Sequence, residues 1–308
     1  RYRHVTGVQT CALPILFAIG ASLAPGHFSH VVPDAAHKVL IHCSVDETDL
    51  NKHYATDHPL LGDGKLTLRA LIAAYRRLMG GAARRESPAT EIAAARAQFA
   101  AKYRPLLESN ETPINPYRVY GDLMKTLDPM KSCVSPDSGN TRDQTSTVWQ
   151  ALAPRRFMGW GRISTLGFGL AAAIGAKLAH PDWQCINITG DAGVGYMLGN
   201  LEALVRNRIA VTTVHINNGG FAGYGPGFWG KGHDPYTCTV SEHAVADMSE
   251  AVKALGYYAE HVTDPNEIIP AIHRALERNA CGQPAYLEFI CSQYPVFGEW
   301  VTAAPGGH

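Results

Sequence analysis

The sequence predicts an α/β protein built from doubly wound parallel sheets. Two apolar runs, residues 185–189 and 210–216, are typical of buried strands, and each is followed by polar residues, Gly190-Asp191 and Asn217-Asn218. The segment between the runs has apolar residues at helical spacing. A strand, a helix and a second strand in this order predict two parallel neighbours joined by a right-handed crossover.

Polar residues at the carboxyl ends of these strands predict a binding site. Ligands of open parallel sheets bind in the crevice beyond those ends. Asp191 and Asn218 therefore stand where a ligand is expected, and their oxygen atoms suit Mg²⁺, which shares its coordination with water and phosphate groups. The alternative interpretation is that both polar pairs are ordinary turn residues after two strands.

The rest of the chain divides into four predicted segments. Residues 1–15 show no clean apolar period and resemble a translated sequencing adapter, so we expect a non-native leader and a missing N-terminal part. Residues 16–82 predict a partial nucleotide-fold middle domain with two short strands and a return helix. Residues 83–112 predict a linker that contains an exposed helix. Residues 113–308 predict a second domain, which begins with a helix over 115–123.

Composition restricts the possible partners. The 308 residues fit roughly two domains. Lys and Arg total 27, as do Asp and Glu, so net charge does not favour nucleic acid as a partner. The seven cysteines contain no Cys-x-x-Cys pair, which predicts a reducing, cytoplasmic setting. No apolar run reaches the ~18 residues of a membrane span, so no membrane partner is expected.

The sequence Gly190-Asp191-Ala192, followed by Asn217-Asn218, resembles the Gly-Asp-Gly to Asn-Asn cofactor motif of thiamine-diphosphate enzymes. The similarity is to the group of acetolactate synthase, benzoylformate decarboxylase and oxalyl-CoA decarboxylase. Three other segments are similar to an early diphosphate loop, a glycine-rich turn with a small-residue helix, and a final strand of that group: residues 136–141, 161–176 and 284–289. The resemblance implies thiamine diphosphate and Mg²⁺ as cofactors and places the diphosphate-binding domain in residues 113–308.

The resemblance also implies how the crevice holds its cofactor. The metal is expected to be bound by Asp191, Asn218 and the main-chain carbonyl of Gly220. Main-chain N–H groups of small residues are expected to donate to the diphosphate. These cofactor-binding residues are Gly139, Asn140, Gly190, Ala192 and Gly193. Ala192 stands where the family motif has a glycine, a change that leaves the amide in place.

At the ring end of the cofactor, the resemblance implies three further contacts. Leu166 is expected to bend the cofactor, although an ordinary core position is the alternative for this residue. A carbonyl near Ser164 is expected to accept a hydrogen bond from the 4'-amino group. Phe221 belongs to a loop rich in glycine and aromatics that is expected to close over the site. In the resembled group the bent cofactor acts on a 2-oxo acid, the small-molecule substrate expected here.

Activation of the cofactor in that group needs a glutamate from the N-terminal domain of a neighbouring subunit. No segment of this chain resembles that domain, and Glu202 is expected to be structural. The catalytic residues therefore stay unidentified, and we expect the chain to be inactive alone. The full-length form is expected to be a homodimer or homotetramer. His215, inside a predicted strand, is expected to be a core residue.

The resemblance implies that the chain is the cofactor-binding part of an N-terminally truncated carboligase or decarboxylase. Two other functions are the alternatives. One is a natural subunit of a split two-chain decarboxylase. The other is a non-catalytic nucleotide-binding scaffold. FAD or ADP in the middle domain is a related possibility, because Asp46 follows a strand as the ribose-binding acid of Rossmann-like sites does. No Gly-x-Gly-x-x-Gly precedes Asp46, which favours a scaffold domain.

Overall fold

The computed structural model describes residues 15–23, 32, 34–80, 89–159, 165–220 and 247–292. They form two compact units, with the division between Lys102 and Tyr103. This division falls within a helix, Ala89–Leu107, in the segment predicted to be a linker. None of the helices in these ranges is long and apolar enough to cross a membrane.

The first unit is a small parallel sheet followed by a helix. Its strands lie in the order β1 (Ile15–Ile19), β2 (Val39–Ser44) and β3 (His58–Leu61). Helix α1 (Gly64–Met79) comes next, and Asp63 caps it by accepting a hydrogen bond from the main-chain N–H of Leu66. The sequence analysis expected two strands in this region. Strand β3 has four residues, one of them a proline, and so has the weak pattern of a short edge strand.

The second unit contains a five-stranded parallel sheet in the order β4-β5-β6-β8-β7. The strands are β4 (Ser132–Pro136), β5 (Gln184–Gly190), β6 (Thr212–Asn217), β7 (Tyr258–Val262) and β8 (Ala285–Ile290). The helices are α2 (Ala89–Leu107), which begins before this unit, α3 (Pro116–Thr126), α4 (Asn140–Val148), α5 (Phe168–Ala179), α6 (Asp191–Arg206), α7 (Met248–Ala254) and α8 (Ile268–Ala280). The predicted α/β class with parallel sheets is confirmed.

The two strands that carried the fold prediction are parallel neighbours, as predicted. Strands β5 and β6 pair in parallel, with Gly190 opposite Ile216. The crossover helix α6, however, begins directly at Asp191, about two turns before Leu198, the first of the apolar residues that predicted it. Gly190 has an extended backbone, and an acidic residue is favourable in the first turn of a helix because it complements the helix dipole.

The two faces of the second sheet differ in polarity. One face is mainly apolar and packs against α3 and α8 through residues such as Ile188, Val214 and Phe289. The other face is apolar only at the amino-terminal half of the strands, where Cys133 and Cys185 pack. Its carboxyl-terminal half carries buried polar side chains, among them Ser135, Asn187, Thr189, His215, Asn217 and Glu288. Polar groups are therefore concentrated at the strand ends where a ligand is expected.

Helix α6 offers a test of how far this core contributes to stability. Leu201 on α6 is fully buried, whereas Leu178 on α5 is 64% exposed. We expect Leu201→Ala to lower the free energy of unfolding by about 2–5 kcal/mol, because it removes apolar contacts and leaves a cavity. Leu178→Ala, the control, should change it by less than about 0.5 kcal/mol. Urea denaturation followed by circular dichroism measures both, and equal effects would contradict the packing described.

Candidate functional site

A cavity of about 460 Å³ opens at the carboxyl ends of β5 and β6. Its walls come from the start of α4, the turn before α5, the start of α6 and the loop after β6. Nine of the predicted site residues line it: Gly139, Asn140, Leu166, Gly190, Asp191, Ala192, Gly193, Asn218 and Gly220. Two predicted residues, Ser164 and Phe221, lie outside the residues that the structure describes.

Asp191 links the two strand ends at the floor of this cavity. Its Oδ1 lies 3.0 Å from Nε2 of His215. Its Oδ2 accepts hydrogen bonds from the main-chain N–H groups of Asn218, at 3.2 Å, and Gly220, at 3.1 Å. The side chain that directly follows β5 thus holds residues 218–220, directly after β6, in place.

The carboxyl group of Asp191 is kept ionised by these contacts. Burial alone would raise its pKa, because a charge is poorly solvated there. The hydrogen bond from His215 and those from the N–H groups of Asn218 and Gly220 outweigh burial and hold the pKa of Asp191 below its usual range. The cavity therefore has a fixed negative charge, and Asp191 is the one carboxylate among the described residues that line it.

The side-chain amide of Asn218 points at the same carboxylate. One of its terminal atoms lies 2.8 Å from the carbonyl oxygen of Gly220 and 3.0 Å from Oδ2 of Asp191. With the amide nitrogen at this position, it donates to both oxygens; with the amide oxygen there, three oxygens converge. Adjacent ligands of an octahedral Mg²⁺ ion, at Mg–O distances of about 2.0–2.1 Å, are ~2.9 Å apart. Both distances from the Asn218 amide therefore fit neighbouring ligands of a small divalent cation.

Two helices begin at the cavity wall beside this oxygen cluster. Helix α6 begins at Asp191, so Ala192 and Gly193 lie in its first turn. Helix α4 begins at Asn140, after Gly139, whose φ of 91° favours glycine. First-turn N–H groups have no partner within their helix and carry partial positive charge, which suits an anion. Because Ala192 has a helical backbone, alanine is accommodated there without strain.

Asp137 is a structural contributor that the sequence analysis did not assign. It follows β4 and is fully buried. Its carboxylate accepts hydrogen bonds from the N–H of Gly167 at 3.0 Å and from the hydroxyl of Thr189 at 3.2 Å. It therefore joins the end of β4 to β5 and to the turn that carries Leu166. The pattern that identified Asp191, an acid directly after a buried strand, also marks Asp137.

Two acidic residues considered in the sequence analysis lie away from the cavity wall. Glu202, on the exposed side of α6, accepts a hydrogen bond from Arg206 at 3.0 Å. Asp46 caps the short helix Glu47–Asp49 and accepts from both the N–H and the hydroxyl of Thr48. These bonds lower the pKa of Asp46. In the structure, both carboxylates are engaged by neighbouring residues.

Residues 137–289 match the family described as thiamine pyrophosphate enzyme, C-terminal TPP binding domain. Through this segment, the chain belongs to the thiamine pyrophosphate enzymes. Thiamine pyrophosphate is another name for thiamine diphosphate, so the family resemblance stated from the motifs is confirmed. The matched segment contains α4 and α6, the two helices that begin at the cavity wall, and α5, which follows the turn that carries Leu166.

The chain is also similar to curated thiamine pyrophosphate enzymes. It is 25% identical over 285 residues to a probable acetolactate synthase large subunit of Methanococcus aeolicus, a match that covers 89% of this chain and 46% of that protein. Identity to the probable acetolactate synthase large subunit of Methanocaldococcus jannaschii is 32% over 188 residues, which cover 58% of this chain and 30% of that protein.

A third relative has a different name. The chain is 32% identical over 107 residues to the 2-hydroxyacyl-CoA lyase of Saccharomyces cerevisiae, and the match covers 35% of this chain and 19% of that enzyme. In each of these three comparisons, the match spans less than half of the relative's length. The comparisons do not support FAD or ADP as a cofactor of this thiamine pyrophosphate enzyme.

Close packing behind the wall makes one glycine of this chain necessary. A Cβ atom at Gly193 would overlap the hydroxyl of Thr189 and the carboxylate of Asp137, whereas a Cβ at Gly195 would have no atom within 4 Å. We expect Gly193→Ala to destabilise the fold by about 1–3 kcal/mol through overpacking. Gly195→Ala, on the same helix, should be neutral or stabilising by up to ~1 kcal/mol. Urea denaturation compares the two variants, and a neutral Gly193→Ala would contradict the close approach.

Proposed function

We propose that this cavity binds thiamine diphosphate through Mg²⁺, and that the chain is the cofactor-binding portion of a 2-oxo acid carboligase or decarboxylase similar to acetolactate synthase. The observation that carries the proposal is the convergence of Asp191, Asn218 and Gly220 beside two helix N-termini. A cation site next to two anion-binding helix ends suits a metal-bound diphosphate better than either ion alone.

Each side of the diphosphate has its own binding groups in this proposal. Oδ2 of Asp191, Oδ1 of Asn218 and the carbonyl oxygen of Gly220 hold the ion, which leaves octahedral positions for phosphate oxygens and water. Gly190 is the N-cap of α6, and the N–H groups of Ala192 and Gly193 donate to one side of the diphosphate. Gly139 and Asn140, at the start of α4, donate from across the cavity.

The ring end of the cofactor lies toward Leu166 in this proposal. Leu166 lines the cavity and precedes Gly167, whose φ is 89° and whose N–H is held by Asp137. A side chain fixed in this way can support a bent cofactor. Contacts from the carbonyl near Ser164 and from Phe221 complete the proposed site. When bound, thiamine diphosphate supplies a carbon nucleophile and an electron sink for 2-oxo acid chemistry.

The glutamate that activates the cofactor is proposed to come from elsewhere. The described cavity wall offers the carboxylate of Asp191 alone, and the metal uses it in this proposal. A pyrimidine-binding domain would supply the glutamate across a homodimer or homotetramer interface. A second candidate is a two-chain enzyme in which a separate subunit supplies the glutamate. The same observation, that the described cavity wall offers no carboxylate besides Asp191, favours this candidate. The names of the relatives, acetolactate synthase large subunits among them, support a small-molecule 2-oxo acid as substrate.

Removing the proposed metal carboxylate tests the site. We expect Asp191→Ala to weaken Mg²⁺-dependent binding of thiamine diphosphate by more than the ~10–100-fold that loss of an outer partner of a metal site typically costs. Isothermal titration calorimetry, with and without Mg²⁺, measures this affinity. Glu202→Gln is the matched control, because Glu202 lies on the exposed side of the same helix and should leave binding unchanged. Equal affinity in Asp191→Ala and the parent chain would refute the site.

Turnover tests the proposed origin of the glutamate. The 308-residue chain, supplied with thiamine diphosphate and Mg²⁺, should consume pyruvate no faster than the buffer alone, even where calorimetry shows cofactor binding. Coupled assays of pyruvate loss and CO₂ release provide the measurement. Robust turnover by the purified chain would show that the activating group lies within it, and this part of the proposal would be wrong.

A further inference from the structure

A row of buried polar side chains runs across the sheet behind the proposed cation site. His215 on β6 lies opposite Glu288 on β8, and Glu288 lies opposite His261 on β7. Asp191, at the end of β5, continues the row on one side through its contact with His215. His215 and Glu288 are almost fully shielded from solvent, whereas the side chain of His261 is 30% exposed. The row therefore connects the cavity to the outer strand of the sheet.

The two ring nitrogens of His215 have different partners. Because an ionised carboxylate only accepts hydrogen bonds, Nε2 carries the hydrogen and donates to Oδ1 of Asp191. Nδ1 lies 2.8 Å from the hydroxyl of Tyr286. Burial, followed by the charges of Glu288 and Asp191, raises the pKa of Tyr286 well above its usual value, so the hydroxyl keeps its proton and donates to Nδ1. Tyr286 thereby orients the ring of His215.

Glu288 fixes the other side of the cation site. Its Oε1 accepts from the side-chain amide of Asn217 at 2.7 Å and from the N–H of Met248 at 3.1 Å. Its Oε2 accepts from the N–H of Ser249 at 2.9 Å and faces Nδ1 of His261 at 3.2 Å. With both oxygens occupied, Glu288 acts as a fixed acceptor that holds Asn217, the residue before Asn218. Glu288 therefore helps to fix the position of residues 218–220, which directly follow Asn217.

The contact with His215 restricts how Asp191 can bind a cation. Because Oδ1 is engaged by His215, only Oδ2 faces Asn218 and Gly220. Mg²⁺ requires near-octahedral geometry, which single oxygens satisfy, whereas Ca²⁺ takes about 6–8 oxygens at longer distances and often uses both oxygens of a carboxylate. A carboxylate restricted to one oxygen thus favours the smaller ion.

Building on the function proposed above, we propose that His215, oriented by Tyr286, is a positioning residue that limits Asp191 to one metal-binding oxygen and makes the site select Mg²⁺ over Ca²⁺. The residue does not touch the ion itself. Its effect is on the choice between cations, a property that general destabilisation of the fold would not alter.

The test compares the affinity for Mg²⁺ and for Ca²⁺, measured by calorimetry in the presence of thiamine diphosphate. His215→Leu should weaken Mg²⁺ binding by about 10–100-fold, the usual effect of losing an outer partner, and Ca²⁺ binding by clearly less. The ratio of the Mg²⁺ affinity to the Ca²⁺ affinity should therefore fall by about tenfold or more. His215→Gln should keep the preference for Mg²⁺ over Ca²⁺, because the glutamine amide reaches about as far as Nε2 of histidine and can also donate a hydrogen bond to Asp191. Glu202→Gln, on the exposed side of α6, should leave both affinities unchanged.

A second variant keeps the test decisive if His215→Leu does not fold. Tyr286→Phe removes only a hydroxyl, so the ring of His215 loses its orienting partner. The ratio of the Mg²⁺ affinity to the Ca²⁺ affinity should fall, but by less than in His215→Leu. An unchanged ratio of the Mg²⁺ and Ca²⁺ affinities in every one of these variants that folds would overturn the inference while leaving the proposed function intact. Failure of the parent chain to bind the cofactor with either ion would instead reject the proposed function, and the inference with it.

Discussion

The ionised carboxylate of Asp191 is the constraint on which the rest of the site depends. A charge that is 6% exposed must be compensated, and here it is compensated by His215 and by the main-chain N–H groups of Asn218 and Gly220. These partners come from the neighbouring strand and the loop after it. Satisfying the charge therefore also places the amide of Asn218 and the carbonyl of Gly220 at the carboxylate. The same requirement stabilises the fold and assembles the candidate metal ligands.

The two faces of the second sheet have different roles: one packs the core, and the other carries the polar groups of the site. The mainly apolar face, packed by α3 and α8, stabilises the domain chiefly through burial of apolar side chains. The opposite face can therefore carry buried polar groups such as Asp137, His215 and Glu288, each of which has hydrogen-bond partners. Because these groups lie at the carboxyl ends of the strands, they support the cavity wall rather than the middle of the core.

Much of this arrangement could be predicted. The apolar runs predicted β5 and β6 to within about two residues, and a crossover connection can place such strands side by side in parallel. Asp191 and Asn218 are neighbours for this reason, so their proximity follows from local pattern and connectivity alone. The motif around them also identified the family. Strand β3 was missed because a short strand with a proline leaves little periodic pattern.

The sequence by itself thus determined the α/β class, the parallel pairing of the two central strands and the residues at their ends, because side-chain period and chain connectivity are local properties. Only the tertiary structure decided which side chains contact those residues. Periodicity predicts that His215 is buried, but its contacts with Asp191 and Tyr286 depend on strands that are distant in the chain and adjacent in the sheet. The role of Asp137 and the close approach at Gly193 are likewise set by packing between elements, which no single segment encodes.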